Sequence, residues 1–187
     1  WQDLSADRMQ LRHLFTNHVG HFILVTGLLD RLTDQGRVVM TSSAAHTQTY
    51  SEGIRLDDLD ASGGYSAYGA YGQSKMSNAL FTLQLSKKLK HGQTANAVHP
   101  GVILTNLGRH MNGFMVGTMA VFSPIFCKSI PQGAATQVLV GTHPSAAAQS
   151  GLYWADCNPA KGSEFTRDVA LAEKLWAKTD EIVAGLA

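Results

Sequence analysis

Apolar residues Leu11, Leu14, Phe15, Val19, Phe22, Ile23, Leu28, Leu29 and Leu32 recur in steps of three and four between Ser5 and Leu32. That spacing predicts a long amphipathic helix, stopped near Asp34-Gln35-Gly36. Arg37-Val38-Val39-Met40-Thr41-Ser42 follows, a short β-branched run that predicts a strand buried on both faces of a parallel sheet. Residues 44–67 form a polar, Gly-rich connection without a period, long enough to suggest function or partial order. A second long helix is predicted over Tyr68–Lys90, with Leu80, Phe81, Leu85 and Leu89 on its inner stripe. Thr94–Val98 reads as another short buried strand, ended by Pro100-Gly101, and a helical pattern returns from Pro131 to Gly141. Gly151–Trp154 predicts a last strand, and the C-terminal helix is expected from about Asp168, with Val169, Leu175, Trp176, Ile182 and Val183 inward.

Helix and strand therefore alternate, which is the pattern of an α/β sheet with right-handed crossovers. No internal repeat, linker or domain boundary interrupts it, so residues 1–187 are expected to form a single domain. The apolar stretch from Met111 to Ile130 approaches the ~20 residues of a membrane span. Asn112, Ser123, Lys128, Gly113, Gly117 and Pro124 break it, so no membrane span is expected there. An apolar lid over a pocket is the expectation, with core packing as the alternative.

Composition narrows the function classes. The chain has 187 residues, 44% hydrophobic and 16% charged, enough apolar material for one core with few charges left for the surface. Fifteen basic against fourteen acidic residues leave a formal charge of +1, which gathers no nucleic acid. Cys127 and Cys157 are too few for a disulfide framework and lack metal-ligand spacing, so a reducing, cytoplasmic setting and no metal are expected. Trp1-Gln2-Asp3-Leu4 is no signal peptide, and an opening Trp suggests that the gene begins further upstream.

The sharpest chemical feature is Tyr71-Gly72-Gln73-Ser74-Lys75, near the start of the second long helix. Residues four apart share one helical face. An ammonium beside a phenol favours the phenolate, so such a tyrosine can give or take a proton near neutral pH. Alone, a Tyr-x-x-x-Lys pair usually marks only a solvated helix face. Context raises its weight here. Ser42-Ser43 places a hydroxyl at the carboxyl end of a parallel strand, the edge where open α/β sheets bind ligands. His99-Pro100-Gly101-Val102, with Thr105 just beyond, stands at the end of the next strand.

On Asn17-His18-Val19-Gly20-His21-Phe22, Arg37–Ser43, Tyr71–Lys75 and Val98–Val102, in that order and with Tyr71 lying 28 residues after Ser43, the chain resembles the short-chain dehydrogenase/reductase family. The late Tyr153–Cys157 and the Asn-His-Val-Gly-His-Phe run look closest to the branch holding retinol dehydrogenases and the WW-domain oxidoreductase. The resemblance implies a Rossmann-like, doubly wound parallel sheet, of which this is the C-terminal, catalytic half. It further implies an NAD(P)-dependent oxidoreductase interconverting an alcohol and a carbonyl, with NADP slightly favoured. Its catalytic tetrad would be Asn17, Ser43, Tyr71 and Lys75. Tyr71 would be the general acid or base, Ser43 would position the substrate oxygen, and Asn17 would hold a water linking Lys75 to solvent. Cofactor contacts would come from Tyr71, Lys75, Pro100, Gly101, Val102 and Thr105. Ser43 is preferred to Ser42 because the family's serine usually stands three residues before a small residue or histidine, here His46. The other histidines read as structural or exposed.

One departure is large. No Thr-Gly-x-x-x-Gly-x-Gly occurs, so the Gly-rich βαβ cofactor unit is expected upstream of Trp1. That absence keeps a second reading open, a non-catalytic remnant serving as an interaction module, and a third, a related epimerase or dehydratase. Phe114, Met115, Met119, Phe122, Ile125 and Phe126 favour a small apolar alcohol or carbonyl substrate. A homodimer or homotetramer is compatible with the low surface charge.

Overall fold

Two runs with β-branched residues, Arg37–Thr41 (β1) and Thr94–His99 (β2), and the aromatic Tyr153–Ala155 (β3) pair in parallel in a computed structural model. The structure describes residues 11–59, 63–103 and 127–186. Register runs from Arg37 opposite Thr94 to Thr41 opposite Val98, and from Ala97 opposite Tyr153 to His99 opposite Ala155. A short antiparallel strand, Asn158–Ala160 (β4), completes the order β1-β2-β3-β4.

The strands' period of two sorts their side chains to two covered faces. Met40, Ala95, Ala97 and Tyr153 point toward helices Gly20–Leu28 (α1) and Ala67–Ser86 (α2). Val39, Val98 and Trp154 point the other way, onto Val140 and Leu139 of helix Ile130–Thr142 (α3). Helix Val169–Ala184 (α4) lies on the α2 side, where Ala172 and Leu175 meet Met76 and Leu80. Trp176 stacks on Phe81 with ring centroids 5.4 Å apart and meets the edge of Phe22 at 4.8 Å. The expected doubly wound α/β arrangement of a Rossmann-like half is what forms.

Several details differ from expectation. The first long helix is interrupted by a π-helical turn, Phe15–Val19, and ends in a 3-10 turn, Leu29–Arg31. Helix α2 stops at Ser86, short of Lys90. The polar connection after β1 is built in: it forms a 3-10 turn, Ala44–Gln48, and contributes Ile54 and Leu59 to the core. Strand β4 was invisible because its turn, Asp156-Cys157, takes positive φ of 50° and 60° without the Asn-Gly or Asp-Gly pair that signals such hairpins. Pro159 fits there because β4 pairs on one side only. Val169 opens α4 and is 45% exposed, not inward. The apolar lid expected from Met111 lies outside the described residues up to residue 126.

At Gly72 the backbone of the turn after β1 comes close against α2. A Cβ there would stand 2.7 Å from the Ala45 carbonyl oxygen, 2.8 Å from the Thr49 nitrogen and 2.9 Å from the Gln48 carbonyl carbon. These are backbone atoms and cannot rotate away. Gly72→Ala is therefore expected to lose about 1–3 kcal/mol by overpacking. Gly141→Ala, whose Cβ would meet only Val39 at 3.8 Å, is expected to gain a few tenths of a kcal/mol or more from helix propensity. Urea midpoints of the two variants check the pair.

His18 is fully enclosed, with Phe22 and Phe81 rings 6.2 and 6.1 Å away. The Thr179 hydroxyl donates to Leu175 O, so its oxygen is left to accept from His18 Nε2 at 3.0 Å. Burial holds the His18 pKa down to about 4, against 6.5 when unfolded. Between those values only the unfolded chain takes up the proton, so stability falls on acidification through that window, by about 3 kcal/mol in all. Denaturant titrations from pH 7 to 4 should show this slope, and His18→Leu should flatten it.

Candidate active site

Tyr71 and Lys75 lie on successive turns of α2, whose N-terminus is capped by the Ser66 side chain accepting from Gly69 N. Both are half-buried at the carboxyl edge of the sheet, whereas Gly72, Gln73, Ser74 and Met76 between and beside them are buried. Lys75 Nζ lies 5.7 Å from the centroid of the Tyr71 ring and donates to the Thr41 carbonyl, the last of β1, at 3.4 Å. Burial pushes the Lys75 pKa below its usual 10.5. Tyr68, also near the helix start, is 76% exposed and away from this contact.

The two neighbouring serines diverge. Ser42 is buried, and its hydroxyl donates to the Lys75 carbonyl at 2.8 Å, which locks β1 to the back of α2. Ser43, half-buried with extended backbone, caps the 3-10 turn by accepting from Ala45 N at 3.2 Å. That turn is the one pressed against Gly72, so Ser43 comes to the same edge as Tyr71 and Lys75. Asn17 sits in the π-helical turn, a distortion common at functional sites. Its amide donates to Ser74 Oγ at 3.0 Å, and Ser74 donates to Tyr71 O at 2.8 Å. Asn17 thus reaches Tyr71 through Ser74 rather than by touching Lys75.

At the end of β2, His99 Nδ1 accepts from Ala44 N at 3.2 Å and Gly101 N at 3.4 Å, tying the two strand ends together. Gly101 has φ of 88°, a backbone that favours glycine, and the Lys128 side chain lies across it. Pro100 is half-buried and Val102 is 54% exposed at this edge. Thr105 lies outside the described residues. A cleft of about 520 Å³ lined by Arg55, Asp58, Leu171 and Lys174 lies elsewhere and contains none of these side chains.

Sequence reasoning passed over three members. His46, His99 and Ser74 are all engaged with the backbone of the candidate residues or their strand ends. Ser74 and His99 stand inside the motifs without a role of their own, and His46 stands three residues after Ser43. The described residues hold no cluster of His, Cys, Asp or Glu fit for a metal.

No protein-family model matches the chain. It is 44% identical over 193 aligned positions to the short-chain dehydrogenase TIC 32 A, chloroplastic, of Brassica napus, covering 98% of this chain and 60% of that protein. It is 39% identical to mouse retinol dehydrogenase 12, over 91% of this chain and 54% of that one. Human retinol dehydrogenase 14 is 35% identical, with 91% of this chain and 51% of its own length covered. The chain thus spans little more than half the length of these relatives.

Placing a cation in a half-buried site has a consequence that can be measured. Lys75 has a lower pKa folded than unfolded, so the unfolded chain binds the extra proton. Stability from this group is present above pH 10.5 and lost as pH falls through the folded pKa. Lys75→Met is therefore expected to raise the urea midpoint at pH 7. Wild type should close the gap as pH approaches 10, and a variant less stable than wild type at pH 7 would contradict this.

Proposed function

The chain belongs to the short-chain dehydrogenase/reductase family, and from that premise we propose that it carries the catalytic residues of an NAD(P)-dependent oxidoreductase that interconverts an alcohol and a carbonyl. The observation that carries the reading is the shared edge: Tyr71, Lys75 and the turn opened by Ser43 meet where β1 ends.

In carbonyl reduction the Tyr71 hydroxyl gives its proton to the substrate oxygen, and in alcohol oxidation the phenolate takes it back. Among the described residues this hydroxyl has no hydrogen-bond partner, so it is free to meet substrate. The Lys75 ammonium stands 5.7 Å from the centroid of the Tyr71 ring. Ser43 Oγ accepts from Ala45 N, which leaves its proton to donate to the same substrate oxygen and hold it beside Tyr71. Asn17 steadies the backbone at Tyr71 through Ser74 and serves the proton path as the tetrad's fourth member.

The residues present fit a nicotinamide cofactor. Lys75 pairs with no carboxylate among the described residues, and its long 3.4 Å contact leaves donors for ribose hydroxyls. Gly101, without a side chain, and exposed Val102 offer backbone and apolar surface at the end of β2. When bound, the cofactor supplies or accepts the hydride. NADP is the first candidate, on family resemblance.

An apolar substrate is the reading of the stretch from Phe114 to Phe126, which lies outside the described residues. The names of the retinol dehydrogenase relatives agree with it. Ile23, Leu24 and Leu28 on α1 are 43%, 58% and 51% exposed, a surface suited to a homodimer or homotetramer. No described helix is long and apolar enough to cross a membrane. The cysteines that suggested the cytoplasm are free, and they suit any reducing compartment, including the chloroplast that one relative's name specifies.

Tyr71→Phe in the full-length protein is expected to lower kcat by about 10²-fold or more, while dinucleotide binding stays nearly unchanged. Reduction of a panel of aldehydes with NADPH or NADH checks this, and kcat/KM should be higher for long apolar members than for small polar ones. More than about a tenth of wild-type rate in Tyr71→Phe would remove the general-acid assignment.

A further inference from the structure

His46 is a buried histidine that the proposed chemistry does not use, and all its ring contacts have a fixed direction. It is 2% exposed, in the turn that Ser43 opens. The Ser163 backbone N–H donates to its Nε2 at 3.0 Å. A backbone N–H can only donate, so Nε2 carries the lone pair and the ring proton stands on Nδ1. Nδ1 lies 2.7 Å from the Ser43 carbonyl oxygen, which can only accept. Tyr153 Oη is 3.2 Å from the same Nδ1 and takes the weaker share of that proton. The Tyr153 ring also leans on the imidazole with centroids 4.8 Å apart.

Nearby, Ser42 donates to the Lys75 carbonyl at 2.8 Å. The backbone at Ser43 is thus held by a line of buried bonds that starts at Ser163 and passes through His46, with Tyr153 at the same ring nitrogen. Such a line is worth more than its separate pairs, because each group fixes the orientation of the next. A doubly protonated ring would turn an Nε2–H toward the Ser163 N–H, donor against donor. Burial lowers the His46 pKa, in keeping with the neutral form, and pushes that of Tyr153 up to about 12, keeping its proton in place.

We propose that His46 is a positioning residue: its Nδ1–H, oriented by the Ser163 amide, fixes the Ser43 carbonyl and so aims the Ser43 hydroxyl at the substrate oxygen. The proposal rests on the oxidoreductase reading above. It acts through Ser43 and has no contact with substrate or cofactor.

A double-mutant cycle on the full-length protein, with nonanal and NADPH as the probe pair, tests it. His46→Phe is expected to lower kcat by about tenfold with the NADPH KM unchanged, since small misplacements of a positioned group cost rate rather than binding. In a Ser43→Ala background the same substitution should cost little, because the group being aimed is gone. His46→Asn, whose amide nitrogen can stand near the Nδ1 position, should recover most of the loss. Tyr153→Phe, should His46→Phe fold poorly, is expected to reproduce a smaller, equally Ser43-dependent loss. An equal fall in kcat in both backgrounds would make His46 merely structural and overturn the proposal. Unchanged kcat in Ser43→Ala alone would overturn the serine's role itself, a different failure. Nitrogen-15 spectra showing the His46 proton on Nε2 rather than Nδ1 would also overturn the proposal.

Discussion

Helix α2 is packed on nearly every side. Ala79 meets Ala97 and Tyr153 of the sheet, Met76 and Leu80 meet Ala172 and Leu175 of α4, and Gly72 receives the backbone of the turn after Ser43. A helix can be surrounded this way only where small residues let neighbours close in, and Gly69, Ala70, Gly72, Ser74 and Ser77 supply that run. The approach at Gly72 is the contact on which the site depends. It sets the separation of the β1 end from the first turns of α2, and therefore where Ser43 stands relative to Tyr71.

Packing this tight places polar groups where water cannot reach them, and several of those on α2 are answered within the protein. Ser77 donates to Gln73 O, Thr82 to Ala79 O and Ser74 to Tyr71 O, all within the helix's own carbonyl ladder. Gln73 instead turns outward and accepts from Arg55 N at 2.8 Å, which pins the connection carrying Ile54 against α2. Asn78 donates to Thr41 O at 3.1 Å, at the strand end that Lys75 also reaches. The polar residues of α2 are anchors as well as guests of the core.

Much of this could be read from the chain. The alternation of helix and strand, the buried central strand and the inner residues Leu80, Phe81 and Leu85 follow from apolar period alone. The Tyr71–Lys75 pair follows from helical spacing, whereas the strand end offers Ser42 and Ser43 alike and only the family resemblance singles out Ser43. What escaped was conformation set by distant partners. The π-helical turn at Phe15–Val19 has no sequence signature, and the Asp156-Cys157 turn takes positive φ with residues that do not advertise it. The connection after β1 looked like a loop because Ile54 and Leu59 are isolated apolar residues, with no period to betray their burial. His46 is the sharpest case. In sequence it is one histidine of eight. Its meaning lies in Ser163 and Tyr153, more than a hundred residues away.

Unused bonding capacity separates the candidate site from the polar core. Ser42, Ser74 and Ser77 have hydroxyls committed to carbonyls at 2.8 Å, so they can offer nothing to a ligand without breaking the fold. Lys75 has three ammonium protons and one long contact to a carbonyl at the sheet edge. The Tyr71 hydroxyl has none among the described residues, while its backbone carbonyl is held by Ser74. Ser43 accepts one bond and keeps its proton. A buried group left like this would cost free energy. These three are only half-buried, so solvent can reach them. The fold saturates the groups that hold the edge together and leaves unsaturated the groups that face out from it, which is the division of labour that a proton-transfer site requires.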